Sequence, residues 1–359
     1  MLKKITYLLF LIIIGIGLYF SFEDTYKKET KANKLLEKSF DFNQQVAKIV
    51  IENSNTSFNI LKKDNNWILP NYDNYPASKS KIYNFFANIE ALKLLDKKTN
   101  DGKYHEKLGL EYPFKKNSNG ERISLVDQNN QTIFSFILGN VIEKGNNKKY
   151  RYIRKDDTSQ AWMYTDNLNL FSNEIEWSNN NILNIARWRV KSVTTKDFLK
   201  KNNNIKVFRD SFEKSTYNLE NVPNGFELKS SYALNSLAAA LENVEIIDIK
   251  YKSNVKKYKL IREIKYTMFD GLELLFSIYD IKNTKYLNIK SFFRKEERKP
   301  LKKDTEEKII GLPTLFTSSE VVKEVESYNY LNAWLYKIDE NTIKEFSTNK
   351  EDLILSKSD

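Results

Sequence analysis

Hydrophobic residues follow several distinct patterns along this chain, and the first is an unbroken apolar run near the start. The eighteen residues from Ile5 to Phe22 include no charged side chain. A helix of that length spans about 27 Å, close to the ~30 Å hydrocarbon core of a bilayer. The run therefore predicts a transmembrane anchor over 5–22.

The charges on either side of this run predict its orientation. Lys3 and Lys4 precede it, whereas Glu23 and Asp24 follow it directly. Because basic residues are retained on the cytoplasmic side, we expect a cytoplasmic N-terminus in the inner membrane. The rest of the chain is then expected in the periplasm, or outside the cytoplasm more generally.

A cleaved signal peptide is the alternative interpretation of the same run. Signal peptides have an apolar region of about 7–15 residues and a small-x-small cleavage site, whereas Leu-Tyr-Phe-Ser-Phe follows Gly17 here. The sequence favours the anchor. The chain contains no cysteine, which excludes a lipid-modified cysteine anchor, disulfides and thiolate metal sites.

Strand-like alternation begins near Gln44, after a polar stretch whose helical spacing at Leu35, Leu36 and Phe40 predicts a stalk helix. Ser78 is placed to cap a further helix. That helix has apolar residues at i, i+3, i+4, i+7 and i+10, namely Ile82, Phe85, Phe86, Ile89 and Leu92. Strands are predicted for VAKIVIEN, SFNILKK and NWILP before this helix, and for ISLVD, QTIFSFILG and KKYRYIR after it, with turns at DQNN and NVIEKGNN.

The same order of elements recurs about 150 residues later. RVKSVTT, IKVFRD and STYNLEN correspond to the first three strands, and a helix with the same apolar spacing follows at Leu234, Leu237, Ala238, Leu241 and Val244. Strands are then predicted on both sides of the Phe269-Asp270-Gly271 turn and at KYLNIKSFF. A period this long is typical of tandem domains rather than of a solenoid.

The chain end differs from both copies. Thr317-Ser318-Ser319-Glu320 matches a capping box and predicts a helix to about Asn332, with Val321, Val322, Val325 and Tyr328 on one face. AWLYKID predicts a last strand and IKEFSTNKEDLIL a short helix.

These patterns predict an α+β fold: a transmembrane helix, two tandem units of antiparallel sheet plus helix, and a C-terminal tail of helix and strand. The predicted domains are the anchor (1–22), a juxtamembrane stalk (23–43), the first α+β unit (44–180), the second α+β unit (181–298) and a tail packed on the second unit (299–359).

The net charge of +11 changes this interpretation little. It arises from 58 basic and 47 acidic residues dispersed over the 359-residue chain. Runs such as Lys252–Lys257 and Arg294–Asp304 are interpreted as solvated loops. We therefore predict no nucleic-acid partner.

Candidate catalytic chemistry is sparse. His105 is the only histidine, and the chain has neither a G-x-S-x-G turn nor a phosphate-binding glycine motif. Asp156-Asp157 and Glu174-Glu176 could supply paired carboxylates, but both pairs lie in polar segments where solvated acids are usual. We predict no catalytic, cofactor-binding or metal-binding residue, no cofactor and no enzyme activity.

Aromatic and basic side chains offer two weaker signals for binding. The tryptophans at 67, 162, 177, 188 and 334 are scattered, which favours core packing over a binding surface. Arg151 and Arg154 alternate with Tyr150 and Tyr152 and could present a basic strand edge to a partner, although an ordinary solvent-facing side is the simpler interpretation.

Several short motifs give the chain a resemblance to a known family. They are L-K-K-x-x-x-W-x-L (61–69), Y-P-A-S (75–78), L-G-L-E-Y-P (108–113), L-G-N (138–140), Y-R-Y-I-R (150–154), N-V-P-N-G-F-E-L (221–228), F-D-G-L (269–272) and W-L-Y-K-I (334–338). Together they resemble the domain of unknown function 4340 family over most of residues 44–355. Ser78 stands where family members usually carry Asp before the helix, and serine is still a competent cap.

The resemblance implies a membrane-anchored bacterial envelope protein of unknown activity, whose relatives accompany ABC-type export systems. Our leading hypothesis is a non-catalytic accessory or scaffolding subunit of a transporter, with permease or ATPase subunits as its partners. In this hypothesis Ile5–Phe22 packs in the membrane beside the transporter's helices, and the tandem units bind its exported portion or a substrate. The alternative is an envelope enzyme acting on glycan or peptide through carboxylates. The sequence leaves the oligomeric state open.

Overall fold

The structure is a computed structural model that describes residues 33–36, 40–115, 118–145, 148–200, 203–298 and 315–357. The chain folds into two compact units. The first contains the described residues up to Ile68 together with Pro76–Trp177, and the second contains Leu69–Tyr75 together with the described residues from Ser178 onward. The fold is mixed α+β, with large antiparallel sheets and few helices.

The first part of the chain folds around a nine-stranded sheet with strand order β5-β4-β3-β2-β8-β9-β10-β11-β7, and β1 pairs separately with β6. The strands are β1 (Asn33–Lys34), β2 (Lys48–Glu52), β3 (Ser57–Lys63), β4 (Asn66–Leu69), β5 (Tyr75–Pro76), β6 (Lys93–Leu94), β7 (Asp96–Lys97), β8 (Glu121–Val126), β9 (Thr132–Lys144), β10 (Lys148–Lys155) and β11 (Ala161–Thr165), and the helices are α1 (Phe42–Gln45), α2 (Lys79–Ala91) and α3 (His105–Leu108).

The second part contains another nine-stranded sheet, with order β12-β17-β21-β20-β19-β18-β13-β14-β15, and a separate β16-β22 pair. Its strands are β12 (Asn181–Leu183), β13 (Val190–Asp197), β14 (Ile205–Phe208), β15 (Asn218–Leu219), β16 (Phe226–Leu228), β17 (Val244–Tyr251), β18 (Lys259–Met268), β19 (Leu272–Ile281), β20 (Thr284–Phe293), β21 (Trp334–Ile338) and β22 (Ile354–Ser356), and its helices are α4 (Ser231–Ala239), α5 (Ser318–Tyr328), α6 (Glu340–Phe346) and α7 (Lys350–Leu353).

Helix α2 forms where the sequence predicts it, because Ser78 supplies its N-cap and its apolar side chains lie on one face that can pack into the core. The Ser78 side chain accepts from the backbone N–H of Lys81. The residues of this face, Ile82, Phe85, Phe86 and Ile89, are all buried. They pack with Trp67, whose ring centroid lies 5.9 Å from that of Phe86, and with Trp177, 5.2 Å from Phe85. These contacts form the core of the first unit.

The predicted capping box is confirmed at the start of helix α5. The Thr317 side chain accepts a hydrogen bond from the backbone N–H of Glu320, and the Glu320 side chain accepts one from the backbone N–H of Thr317. Helix α5 is held in the second unit by a buried ion-pair triad. Arg189 donates through Nε to Asp270 at 2.7 Å and through Nη2 to Glu324 of α5 at 2.7 Å. Asp270 is fully buried, so this triad fixes α5 beside the turn between β18 and β19.

Several local predictions are wrong for identifiable reasons. The NVIEKGNN turn is shorter than predicted, because β9 continues to Lys144. The helix containing Leu234 and Leu237 ends at Ala239, and Val244 begins strand β17, whose alternating pattern the helical spacing concealed. Val322 is 38% exposed rather than on the buried face of α5. The sequence patterns do not predict strand β11, and AWLYKID is not the last strand because β22 follows it.

The predicted stalk helix is also wrong for its described part. Asn33–Lys34 is a strand that pairs with Lys93–Leu94, and Leu35 is 1% exposed. The backbone N–H of Leu35 donates to Leu92 at 3.1 Å, which fixes this segment to the end of α2.

The predicted membrane anchor Ile5–Phe22 lies outside the described residues. Among those that are described, no helix combines the length and the apolar character needed to cross a bilayer.

Candidate functional site

A broad cleft of about 1260 Å³ lies in the second unit. It is found where the loop after β17 enters β18 and where β19 turns into β20. Its charged lining consists of Lys250, Lys256, Lys257, Lys259, Lys282 and Asp280. We call it the lysine cleft.

An apolar cluster forms the base of the lysine cleft. Ile281, Tyr286 and Leu335 are buried together, and the half-buried Val255 packs against them. Burial of these groups holds the loop after β17 against the sheet, so the lysines on that loop are attached to a rigid base.

Asp73 anchors the same loop through two hydrogen bonds. One carboxylate oxygen accepts from the backbone N–H of Tyr251 at 2.9 Å, and the other accepts from the Asn254 side chain at 2.8 Å. Both oxygens of one carboxylate thus hold the 3-10 turn Lys252–Asn254, which is separated from Lys256 and Lys257 by Val255 alone.

Another part of the lining is the hairpin of β19 and β20, whose turn has two residues. Lys282 and Asn283 have φ values of +52° and +65°, and their neighbours Ile281 and Thr284 are paired. Two consecutive positive φ angles indicate a type I′ turn, which suits the twist of adjacent strands. Asp280 accepts from the Asn283 backbone N–H at 3.0 Å, which fixes the turn that carries Lys282.

The cleft has a strong excess of positive charge, since its described lining contains five lysines and, among carboxylates, Asp280 alone. Lys250 also has an acidic neighbour, because its Nζ lies 3.4 Å from Asp248. Asp248 is itself engaged, since it accepts from the Tyr286 hydroxyl. Burial and this hydrogen bond raise the pKa of Tyr286, so its hydroxyl remains a neutral donor.

Aromatic rings accompany the lysines. Tyr258 is 43% exposed and packs edge-on against Tyr279, with ring centroids 4.8 Å apart. Lys250 lies over the Tyr286 ring at 5.3 Å. The ammonium groups of the cleft can bind carboxylates or phosphates, and the exposed Tyr258 ring can cover an adjoining apolar or planar group.

A second cavity, of about 420 Å³, lies in the first unit and brings together four residues that the sequence singled out. His105, Arg154, Asp156 and Asp157 all line it, together with Tyr112. We call it the Arg154 cavity. Neither Glu174 nor Glu176 lines it; Glu174 is buried and Glu176 half-buried in the Glu174–Trp177 turn.

The prediction that Arg154 lies on a solvent-facing side of its strand is wrong. Its side chain is 5% exposed. Nε donates to the Leu110 carbonyl at 3.0 Å, and Nη1 donates to the carbonyls of Lys155, Asp156 and Thr158 at 3.2–3.4 Å. Arg151 is similarly engaged, because it pairs with Glu121 at 3.0 Å. Strand alternation could not reveal these contacts, since most of the partners come from loops.

Asp156 belongs to an ion-pair network. Its Oδ2 accepts from Arg122 Nε at 2.8 Å and from the Ser135 hydroxyl at 3.0 Å. Burial opposes ionisation, but hydrogen bonds from Tyr112, Ser135 and Arg122 outweigh it and lower the pKa of Asp156. Asp156 is therefore held as a carboxylate and is poorly suited to donating a proton.

His105 is buried, and its Nε2 lies 2.9 Å from the Ser159 carbonyl. A ring nitrogen at this distance from a carbonyl acts as the donor. The contact ties α3 to the turn after β10, which is a structural role.

Two glycine motifs position the wall of the Arg154 cavity. A Cβ on Gly139 would lie 2.2 Å from the Leu108 carbonyl, and a Cβ on Gly109 would lie 2.4 Å from the Asn140 side chain. Leu108-Gly109-Leu110 therefore packs directly on Leu138-Gly139-Asn140, and only glycine allows this approach. Leu110 is then placed to receive the Arg154 side chain.

The tryptophans are distributed as core residues rather than as one surface. Trp67, Trp177 and Trp334 are buried, whereas Trp162 and Trp188 are partly exposed. Within the described ranges, no group of three or more His, Asp or Glu side chains is placed to hold a metal ion.

Sequence reasoning missed the lysine cleft because it interpreted Lys252–Lys257 as a solvated loop. The signal that could have found it is a second basic and aromatic segment, Tyr279–Tyr286, at the turn between β19 and β20. Because β18 and β19 are antiparallel, the start of β18 and the end of β19 lie at the same end of the sheet.

Comparison with known proteins identifies the family. The family model described as domain of unknown function (DUF4340) matches residues 67–262, which is more than half of the chain. No curated protein and no solved structure matched. The match covers most of the motifs on which the resemblance rests, from Trp67 to the start of β18. The chain therefore belongs to the DUF4340 family of domains of unknown function.

Proposed function

We propose that this protein is a membrane-anchored, extracytoplasmic accessory or scaffolding subunit of an ABC-type envelope transport system, and that it acts without catalysis. In this proposal the lysine cleft binds an acidic segment of a transporter subunit. The observation that carries the proposal is the convergence of five lysines on one cleft with a rigid apolar base.

The rest of the chain is expected to support this role. Ile5–Phe22 is expected to hold the protein in the membrane beside its partners, with the two units outside the cytoplasm. A subunit of this kind needs broad, stable surfaces, and two large antiparallel sheets supply them.

We further propose that the two units are tandem copies of one α+β unit. Both sheets place a three-strand meander beside a four-strand meander, and both pair a strand that follows the helix (β7 or β17) with the last strand of the larger meander. The helix caps also correspond, because Ser78 and Ser230 both accept from the first turn and lie 152 positions apart. Two copies would give a scaffold two related surfaces with different side chains.

The chemistry of the cleft favours a protein partner rich in Asp or Glu. Lysine provides a flexible point charge, whereas the planar guanidinium of arginine provides the bidentate geometry that suits nucleic-acid phosphates. The described residues that line the cleft include lysine and no arginine. Side-chain carboxylates of an extended segment could each approach one of the five lysines, and the proposal includes no nucleic-acid partner.

The carboxylate-enzyme alternative has less support from the Arg154 cavity. A general acid needs a raised pKa, whereas the pKa of Asp156 is lowered. Glu111, another lining carboxylate, lies 2.5 Å from Lys115. The lowered pKa of Asp156 favours its ionised form, and the Glu111 carboxylate is occupied by the ion pair with Lys115.

Co-purification from cells in mild detergent tests the proposal. The tagged full chain should bring down a permease or ATPase subunit, and Lys256→Glu/Lys257→Glu should abolish this capture because it reverses charge in the cleft. The matched control is Lys63→Glu/Lys93→Glu, which makes the same charge change at exposed positions of the first unit.

The control variant should retain the captured subunit. Purification of the wild-type chain without any transporter subunit in several detergents would refute the accessory role. Equal loss of capture in both variants would refute the role of the cleft.

A further inference from the structure

Arg154 presents a hydrogen-bond donor group that the described part of the chain leaves unused at the Arg154 cavity. Four backbone carbonyls engage Nε and Nη1, and none of these hydrogen bonds to described residues uses Nη2. The side chain is 5% exposed and lines the cavity. A buried guanidinium held rigidly by carbonyls, with one donor nitrogen available, is preorganised for a ligand oxygen.

Tyr112 provides an aromatic wall beside this donor. Its side chain is 44% exposed, and its ring centroid lies 5.1 Å from Arg154 Cζ. The ring therefore has contact with the guanidinium while part of its surface remains open. An exposed ring next to a fixed polar group can pack against the C–H groups of a ligand.

The cavity also supplies acceptors. Asp157 is exposed, and Glu111 and Asp156 contribute two further carboxylates to the lining. The acids oppose the binding of an anion, whereas the Arg154 guanidinium and Lys115, which also lines the cavity, oppose the binding of a cation. A neutral ligand whose hydroxyls both donate and accept satisfies both sides.

We propose that the Arg154 cavity binds a neutral saccharide unit. One sugar hydroxyl accepts from Arg154 Nη2, another donates to Asp157, and the C–H face of the ring packs on Tyr112. The volume of about 420 Å³ suits one or two sugar rings. This site is independent of the lysine cleft, so it gives the protein a glycan contact in addition to the proposed protein partner.

Saturation-transfer difference NMR on the full chain tests this site, in a detergent without a sugar headgroup. The probes are glucose, galactose, N-acetylglucosamine and its β-1,4-linked disaccharide, with glucuronate as the anionic comparison. At least one neutral sugar should show transfer that exceeds that of glucuronate.

Tyr112→Ala and Asp157→Asn should each weaken binding of that sugar by about tenfold or more, the loss expected for one removed ring or charged hydrogen bond. Tyr104→Ala is the matched control, because Tyr104 is 42% exposed, also lies between β7 and β8, and does not line the cavity. Its binding should equal that of the wild type. Asp157→Asn preserves shape at an exposed position, so it remains informative if Tyr112→Ala fails to fold.

Absence of transfer to every neutral sugar would overturn the proposal. So would preferential binding of glucuronate, or unchanged binding in Asp157→Asn. None of these results bears on capture of a transporter subunit through the lysine cleft.

Discussion

Arg262 and Asp197 form a buried ion pair between neighbouring strands. Arg262 Nη2 lies 2.8 Å from Asp197 Oδ2, and both side chains are less than a tenth exposed. The two residues also face each other in the register of β13 and β18. The guanidinium additionally donates to the carbonyls of Phe346 and Thr348, so it ties the end of α6 to the sheet.

The first unit contains a counterpart of this pair. Arg122 and Glu52 face each other in the register of β2 and β8, with Nη1 and Oε2 3.3 Å apart. In both sheets the pair lies where the three-strand meander (β2–β4 or β13–β15) meets the larger set of strands. The correspondence supports the proposal of tandem copies.

Removing Arg262 should strongly destabilise the second unit. Arg262→Ala leaves the Asp197 carboxylate buried without its counter-charge, which costs about 3–5 kcal/mol of unfolding free energy. Arg122→Ala should cost less, because the Arg122 side chain is 30% exposed. Denaturant unfolding measures both, and equal losses would contradict the difference in burial.

Asp197 should make stability depend on pH in the acid range. Burial would raise its pKa, but hydrogen bonds from Arg262, Asn203 and two backbone N–H groups outweigh burial and lower it. The unfolded carboxyl has a pKa near 3.9. The contribution is therefore fully present above about pH 5, declines below about pH 4 and is lost once pH falls through the lowered native pKa.

The lowered pKa of Asp197 predicts how the unfolding free energy of Asp197→Asn compares with that of the wild type at each pH. The gap in unfolding free energy between the two proteins should be widest near neutral pH and should narrow below about pH 4. Chemical unfolding from acid to neutral pH measures the gap. A gap that stays constant with pH would show that ionisation of Asp197 contributes nothing.

Trp67 is expected to be a principal core residue of the first unit. It is 2% exposed and contacts Phe86 of α2. Trp67→Ala should cost about 3–5 kcal/mol, because it removes a large buried ring and leaves a cavity. Trp162→Ala, at a partly exposed position, should cost less, and an unchanged melting temperature in Trp67→Ala would refute the placement of Trp67 in the core.

Close packing of the two glycine motifs predicts intolerance at Gly139. Gly139→Ala places a methyl group against the rigid Leu108 backbone, and overpacking of this kind costs about 1–3 kcal/mol. Gly145→Ala is the control, because a Cβ there meets open space. Thermal unfolding should give a lower melting temperature for Gly139→Ala than for Gly145→Ala. Similar melting temperatures would contradict the close approach of Gly139 to the Leu108 carbonyl.

Local signals in the sequence predicted much of the fold. Ser78 and the Thr317–Glu320 box act within one helical turn, so the sequence predicts helix starts well. The ends of helices were harder to predict. The apolar spacing at Leu241 and Val244 continues that of α4, but the helix ends at Ala239. Leu241 and Val244 are nevertheless buried in the core. Because an apolar residue is expected at these positions whether the chain is helical or not, the spacing alone could not locate the end of the helix.

The candidate sites depended on contacts that local patterns do not contain. Arg154 alternates as a surface residue would, but the carbonyls that engage it belong to Leu110 and to the end of β10 and the turn after it. The lysine cleft brings Lys256 and Lys282 together only because the start of β18 and the turn between β19 and β20 lie at the same end of the sheet. The sequence identifies the side chains of both sites, but it does not show that they lie close together in the folded protein.

Photo-crosslinking in intact cells from position 258 is the decisive experiment for the accessory role. Tyr258 lines the lysine cleft and is 43% exposed, and Tyr83 on α2 is a matched position at 44%. A photoreactive residue at 258 should capture a permease subunit, whose extracytoplasmic part is within its reach, and one at 83 should not; mass spectrometry identifies the captured proteins. Capture of only lipid or of this chain itself, or the same products from both positions, would contradict a transporter partner bound at the lysine cleft.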